Sequence, residues 1–323
     1  MQFGPVCAGV QAVTPSPPLA AILIATMMSG SPLEAQNLIT AAEVMAMETP
    51  PPTHRVAYGP DPLQFGHLRL PGGEGPFPVV LFVHGGCWLS EYGIGHTGSL
   101  EAAWAEAGYA VWSVEYRRVG DPAGGWPNTF LDVAAGGDHL RTLARDFPLD
   151  LDRVVAAGHS AGGSFALWLA SRAHVPRESP LWSPNPLPIH GFLGLAPAAD
   201  LERLHQVGIC GNVIQQLLGG SPDEAPDRYA AVSPMRLPPL SVPQVVVLGE
   251  HDDTWTPIAE AWLDRVREER AEVAVEVVRA AESGHFEMIV PGTSTWPLVM
   301  GALEAVFQAV GPEGLKPQPL GDE

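Results

Sequence analysis

Residues 153–170 read RVVAAGHSAGGSFALWLA, and this stretch decides the fold. The residues before Gly158 form a mostly apolar run that is typical of a buried strand, and the residues after Gly162 are typical of a buried helix. Between the two runs lies Ser160, in the pattern G-x-S-x-G. A strand, a tight turn of small residues and a helix are the context in which this pattern exposes a serine hydroxyl as a nucleophile. We therefore predict that Ser160 is a nucleophile.

Composition indicates a soluble, acidic, globular protein. The chain has 323 residues, of which 46% are hydrophobic and 16% are charged. This is enough for one large α/β domain, although length alone permits two. The formal net charge is −19, and Lys316 is the only lysine. Because like charges repel, this balance disfavours nucleic acid and anionic membrane surfaces as partners.

The cysteines do not predict a metal site. Cys7, Cys87 and Cys210 form neither a C-x-x-C pair nor a cysteine–histidine spacing of the kind that binds metal. A framework of several disulfides is not expected, whereas a single bridge between Cys87 and Cys210 stays open.

The N-terminal segment suggests two interpretations. Residues 19–28 have the length of the apolar region of a signal peptide, and Ala35 is a plausible cleavage residue. However, no lysine or arginine precedes Arg55, and the run is too short to span a bilayer. Residues 1–35 are therefore either a signal peptide or a disordered N-terminus, and the location is either cytoplasmic or secreted, the latter including the periplasm. Residues 36–62 are expected to be a Pro-rich tether, and residues 312–323 a C-terminal tail.

Strand-like and helix-like segments alternate through residues 63–311. This alternation predicts an α/β fold with a mostly parallel central sheet and helices on both faces. One helix is predicted over residues 129–146, with Leu131, Ala135, Leu140 and Leu143 on its inner side. Residues 198–239 interrupt the alternation between two core strands, and they are predicted to form a small cap or lid. The strands are predicted within residues 64–70, 78–83, 110–114, 154–157, 189–195, 242–248 and 273–278.

A nucleophilic serine needs a base to take its proton and an acid to orient that base. Asp252 follows the strand-like run 245–248, and His285 follows the last strand. The order serine, acid, histidine is that of the α/β-hydrolase arrangement. We assign Asp252 as the acid and His285 as the base. Asp253 is the main rival for the acid, and Glu250 is a weaker one because it lies closest to the strand end.

The charge that develops on the substrate also needs hydrogen-bond donors. Residues 84–88 read HGGCW and follow a buried strand. Glycines let a backbone approach a substrate closely. We predict an oxyanion hole made by the N–H groups of Gly86, Cys87 and Ala161. His84 is expected to hold this loop in place rather than to act in catalysis, and Cys87 is not expected to be a nucleophile.

These segments together resemble the α/β-hydrolase superfamily. The resemblance rests on HGGCW at 84–88, GHSAGG at 158–163, GEHD at 249–252 and GHF at 284–286. It is closest to carboxylesterases with an H-G-G loop, in the hormone-sensitive-lipase-like and kynurenine-formamidase-like branches. The pairs Tyr116-Arg117 and Trp126-Pro127 and the helix with Asp132 also look like that group. Cys87 departs from the glycine of the lipase-like H-G-G-G pattern, whereas Trp88 matches the formamidase-like branch.

The resemblance implies a serine hydrolase that cleaves carboxylic esters, short-chain or aryl, through an acyl-enzyme and without a cofactor. An amidase of the aryl formamidase type is the alternative, followed by a peptidase and by a non-catalytic binding protein on the same fold. The expected partner is a small-molecule ester, and the oligomeric state stays open. Aromatic or large apolar residues are candidates to line the pocket: Trp88, Trp126, Leu181, Trp182, Trp255 and Phe286.

Overall fold

The computed structural model describes residues 1–2, 38–270 and 275–311. The fold lies within Asn37–Glu323. The expected leader, apart from residues 1–2, and the expected tail lie outside the described residues. No helix in the described ranges is both long and apolar enough to cross a membrane.

In the described part of the chain, eight strands form a single sheet. They are β1 His54–Ala57, β2 Phe65–Arg69, β3 Phe77–Val83, β4 Ala110–Val114, β5 Leu149–His159, β6 Gly191–Leu195, β7 Gln244–Gly249 and β8 Val275–Ala280. Their order in the sheet is β1-β2-β4-β3-β5-β6-β7-β8. β2 pairs antiparallel with both of its neighbours, and every pair from β4 to β8 is parallel. The sheet is therefore mostly parallel, as predicted.

Ten α-helices accompany the sheet within the same described ranges. They are α1 Ala41–Ala46, α2 Gly98–Glu106, α3 Asn128–Asp138, α4 Leu140–Leu143, α5 Ala161–Ser171, α6 Leu201–Val207, α7 Val213–Leu218, α8 Pro226–Val232, α9 Thr256–Glu269 and α10 Trp296–Val310.

Helices cover both faces of the sheet, which explains why its central strands are apolar throughout. Phe82 of β3 meets Trp104 of α2 edge-on, with ring centroids 5.5 Å apart. Its neighbour Leu81 lies under α3, where a Cβ on Gly137 would be 3.3 Å from Leu81 Cδ2. Because successive residues of a strand point to opposite faces, α2 and α3 lie on opposite sides. A strand buried on both faces needs an unbroken apolar run rather than alternation.

The predicted helix over 129–146 differs from the structure in its extent and in its inner face. It is divided into α3 and α4 at His139. Leu131 and Ala135 are exposed, whereas Leu140 and Leu143 are buried as predicted. The inner face is set by Phe130, whose ring packs 5.3 Å from Phe165 and 5.5 Å from Trp168 of α5.

Residues 36–62, expected to be a tether, instead contain ordered elements of the fold. β1 pairs with β2 at the edge of the sheet. α1 begins with a capping box, in which Thr40 and Glu43 each bond the backbone N–H of the other. Residues 198–239, assigned from the sequence to a cap, contain α6, α7 and α8 between β6 and β7.

Candidate active site

Ser160 alone makes the turn between β5 and α5. Its φ is 55° and its ψ is −123°, and a positive φ is uncommon for a residue other than glycine. A Cβ on Gly158 would lie 2.2 Å from Gly162 O, and a Cβ on Gly162 would lie 2.0 Å from Val83 O. Both positions therefore require glycine, and the turn has the strand–serine–helix form that the sequence predicts.

Backbone hydrogen bonds hold Ser160 from both sides. Its N–H donates to Leu195 O at 2.9 Å, and its carbonyl accepts from Gly163 N at 2.9 Å and Ala198 N at 3.0 Å. The residue is buried, yet it lines a cavity. Strained residues of this kind persist where the surrounding structure fixes them, and they are concentrated at functional sites.

Asp252 and His285 meet in the loops that follow β7 and β8. His285 Nδ1 lies 2.6 Å from Asp252 Oδ2. The other carboxylate oxygen accepts from Trp255 N at 3.1 Å, and the indole ring of Trp255 stacks on the imidazole with centroids 5.0 Å apart. A carboxylate in this place favours a proton on Nδ1 and leaves Nε2 available as a base. The rival acids Asp253 and Glu250 are both exposed.

The HGGCW loop passes directly beside Ser160. A Cβ on Gly85 would lie 3.0 Å from Ser160 Cβ, so the loop backbone approaches the serine as closely as glycine allows. Gly86 and Cys87 line the same cavity as Ser160. Ala161 is the first residue of α5, where a backbone N–H has no partner within its own helix.

A buried ionic network holds this loop. His84 Nε2 lies 3.0 Å from Glu115 Oε1, and Arg118 Nη1 lies 3.2 Å from the same oxygen. Tyr116 stacks on the His84 ring at 4.6 Å, and its hydroxyl donates to His84 O at 3.0 Å. Burial by itself would raise the pKa of Glu115, but His84, Arg118 and the Ile94 N–H outweigh it and lower the pKa to about 2. His84 thus has the contacts expected of a residue that fixes the loop.

A disulfide joins the same loop to the cap segment. Cys87 and Cys210 are bonded, with their Cα atoms 5.9 Å apart and a sequence separation of 123. Cys210 lies between α6 and α7. The bridge that the sequence left open is therefore present, and it ties the predicted oxyanion loop to residues 198–239.

The cavity over Ser160 has a volume of about 280 Å³. α1 contributes Ala41, Val44 and Met45 to its lining, and Trp255 and Phe286 contribute aromatic surface. The approach of α1 is fixed by Glu287, whose carboxylate accepts from the N–H groups of Ile39 and Gly284. The segment before α1 is therefore bonded to the loop that contains His285.

The cavity lining also carries polar side chains besides those of Ser160, Asp252 and His285. They are Tyr92, His96, His159 and Thr254. His96 Nδ1 lies 2.7 Å from Gly93 O, so this nitrogen carries the proton. Burial lowers the pKa of His96 to about 4, helped by the neighbouring His84. His96 is therefore a neutral imidazole near pH 7. Within the described ranges, no group of three or more histidine, cysteine, aspartate or glutamate side chains is arranged to hold a metal ion.

The structure brings only some of the predicted pocket residues to the cavity. Trp255 and Phe286 line it. Trp88 is a core residue with a backbone φ of 55°, and its ring meets Phe165 edge-on. Trp126 packs against Phe130.

Two further predicted pocket residues also lie outside this lining. Trp182 is exposed beneath Arg177, and Leu181 is buried in the core.

Sequence reasoning missed the contribution of α1 to the site. The signal was present, because Thr40 and Glu43 form the T-x-x-E pattern of a capping box. The Pro-rich composition that follows it favoured a tether instead. Tyr92, His96 and Glu287 were also missed, since no strand or motif in the sequence marks them.

Comparison with known proteins gives consistent matches. Residues 68–262 match the BD-FAE family. "Esterase LipC" of Mycobacterium tuberculosis (strain ATCC 25618 / H37Rv) is 26% identical over 255 residues, which cover 75% of this chain and 62% of LipC. "Esterase LipI" of the same organism is 33% identical over 132 residues, which cover 39% of this chain and 41% of LipI. The chain thus spans less than two thirds of either relative.

Among solved structures, esterase B from Lactobacillus rhamnosis superimposes with a TM-score of 0.67 at 20% identity. The match covers 83% of this chain and 90% of that one. At this identity the likeness concerns the fold alone. It confirms the predicted α/β-hydrolase fold.

We expect Glu115→Gln to reduce the free energy of unfolding at neutral pH by about 2–3 kcal/mol, because the Ile94 N–H and Arg118 lose a charged acceptor. Arg118 then has Asp121 as its remaining ion-pair partner. The pKa of Glu115 is lowered from 4.5 to about 2 on folding. Its charge therefore stabilises the fold above about pH 4.5, and this contribution is lost as the pH falls towards 2. Thermal melts of wild type and variant should differ most at neutral pH and converge in acid.

The matched control is Glu268→Gln, an exposed residue of α9 that should melt like the wild type at every pH. A Glu115→Gln variant as stable as the wild type at neutral pH would contradict the role given to the network. So would a difference that does not shrink in acid.

We expect Cys210→Ser to reduce the free energy of unfolding by about 2–4 kcal/mol, because the unfolded chain loses a long-range cross-link. Denaturant unfolding of the oxidised proteins measures the change. Cys7→Ser, which leaves the bridge intact, is the control. Peptide mapping without reductant should link the peptides that contain Cys87 and Cys210. Recovery of both as free thiols from oxidised protein would contradict the assignment.

Proposed function

The chain belongs to the BD-FAE family, and on that premise we propose that it hydrolyses carboxylic esters with Ser160 as its nucleophile. His285 is the general base, and Asp252 orients it. The observation that carries the proposal is the 2.6 Å contact between His285 Nδ1 and Asp252 Oδ2. Both residues line the same cavity as Ser160. The named relatives LipC and LipI are esterases, which supports the same chemistry here.

The reaction proceeds in two halves. Ser160 Oγ attacks the ester carbonyl carbon while its proton passes to His285 Nε2. The bond to the alcohol oxygen then breaks, and His285 returns the proton to the leaving alkoxide. In the second half, His285 takes a proton from water, the hydroxide attacks the acyl carbon, and Ser160 is released with the proton from His285. Asp252 keeps the imidazole in the required tautomer throughout.

The tetrahedral oxyanion is stabilised by backbone N–H groups of Gly86, Cys87 and Ala161. Support comes from the position of Gly86 and Cys87 on the cavity lining and of Ala161 at the first turn of α5. Each such donor contributes about 3–4 kcal/mol to lowering the barrier. The ionic network below the loop and the bridge to Cys210 fix these donors before the substrate arrives.

The substrate class is a short-chain or small aryl ester. The cavity volume of about 280 Å³ lies just below the roughly 300–1,000 Å³ range of ligand pockets, so it favours a small substrate. Val44, Met45, Trp255 and Phe286 give the lining an apolar character, which suits an acyl chain or an aromatic ring.

We expect Ser160→Ala to reduce kcat on p-nitrophenyl butyrate by about 10⁴-fold or more, because no other group forms the acyl-enzyme. Asp252→Asn should reduce kcat by about 10⁴-fold, because the asparagine favours the wrong imidazole tautomer. Asp253→Asn is the matched control, since this exposed neighbour lies off the cavity lining. Wild-type activity in Ser160→Ala, or an equal loss in Asp253→Asn, would contradict the assignment.

The choice between ester and amide substrates is tested on the wild-type protein. A higher kcat/KM for an aryl formamide than for p-nitrophenyl butyrate would favour the amidase alternative.

We expect Met45→Trp to raise the preference for p-nitrophenyl acetate over hexanoate by about tenfold, because the larger ring occupies space that a long acyl chain needs. The ratio of kcat/KM for the two esters measures the change. Met47→Trp is the control, because Met47 is similarly exposed at the end of α1 but does not line the cavity. An unchanged ratio in Met45→Trp, or the same shift in both variants, would show that α1 does not set acyl length.

A further inference from the structure

His159 is a buried histidine that the proposed reaction does not use. It lies between Gly158 and Ser160, at the end of β5, and only 1% of the residue is exposed. Its Nε2 is 2.8 Å from the backbone carbonyl oxygen of His285. The two imidazole rings are tilted against each other, with centroids 4.6 Å apart. One residue therefore touches both the serine turn and the loop of the base.

The direction of this hydrogen bond fixes the tautomer of His159. A carbonyl oxygen can only accept, so Nε2 carries the proton and donates it. Burial lowers the pKa of His159 well below its ordinary value, and the nearby His285 lowers it further. The ring is therefore a neutral donor with its lone pair on Nδ1.

The opposite edge of the ring faces the oxyanion loop. A Cβ on Gly85 would lie 3.2 Å from His159 Nδ1. This nitrogen is buried and has no hydrogen-bond partner among the described residues. Burying an unpaired polar atom is unfavourable, and an apolar ring at this position would avoid it. What an apolar ring cannot supply is the donor to the His285 carbonyl.

We propose that His159 is a positioning residue, which sets the place of His285 relative to Ser160 through the hydrogen bond from Nε2 to the His285 carbonyl. The proposal rests on the proposed function, because it assigns His285 as the base. His159 makes no bond in the reaction itself. It connects the serine turn and the base loop, which come from strands β5 and β8, and it packs against the oxyanion loop at Gly85.

Two variants separate the hydrogen bond from the packing. His159→Phe keeps a planar ring but removes the donor, and His159→Gln keeps a donor that can reach the His285 carbonyl. A small misplacement of a catalytic group lowers rates strongly. We therefore expect His159→Phe to lower kcat on p-nitrophenyl butyrate by about 10- to 100-fold, with KM within about twofold of wild type. His159→Gln should stay within about threefold of wild-type kcat.

The rate at which a fluorophosphonate labels Ser160 is the second readout, and it should fall in parallel with kcat. The control is His190→Gln, a buried histidine whose Nδ1 accepts from Val154 N near the opposite end of the β5 core run. It should leave kcat unchanged. Circular dichroism and thermal melts verify that each variant is folded.

Wild-type kcat in folded His159→Phe would overturn the proposal, as would an equal loss in the Phe and Gln variants. If His159→Phe does not fold, His159→Gln decides. A kcat near that of the wild type supports the role, and a loss of about tenfold or more in a stable protein overturns it. A failure of the proposed function looks different. In that case the wild-type protein does not hydrolyse esters, or Ser160→Ala still does. Either result also removes the basis for the role of His159.

Discussion

The backbone conformation of Ser160 is the constraint on which the rest of the site depends. A serine with φ of 55° is held only because Gly158 and Gly162 let three backbone segments pack within van der Waals contact of the turn. This turn directs Ser160 into the cavity and starts α5 at Ala161. The residue before it, His159, contacts the His285 loop. The conformation of Ser160 therefore fixes the nucleophile, the first turn of α5 and the contact to the base loop.

The other parts of the site are loops that follow parallel strands and therefore meet at one edge of the sheet. Their precision comes from contacts outside the cavity. Glu115 fixes the loop after β3 through His84 and Arg118, and Cys210 fixes it covalently to the cap segment. Glu287 connects α1 to the loop after β8. Buried charge is tolerated in these places because Glu115 is paired with Arg118, and the Glu287 carboxylate accepts two backbone hydrogen bonds.

The sequence predicts those features that depend on local pattern. The buried run of β4 was predicted to the residue, and the serine turn follows from glycines that the packing requires. Features set by tertiary contacts were not predictable. Leu131 is exposed because Phe130 packs on α5. Trp88 is buried in the core although it is the last residue of the HGGCW loop. The Pro-rich composition of residues 36–62 did not indicate that α1 lines the site. That placement depends on the hydrogen bond from Ile39 N to Glu287, which is 248 positions away in sequence.

The central claim is that Ser160 carries the acyl group during ester hydrolysis. The most direct measurement is rapid mixing of the wild-type protein with p-nitrophenyl butyrate, an acid quench within the first turnover, and peptide mapping by mass spectrometry. The account predicts one butyryl group on the peptide that contains Ser160, and its disappearance when the quench is delayed until the ester is consumed. A butyryl group on another residue, or hydrolysis with no acylated Ser160 at any time, would contradict it.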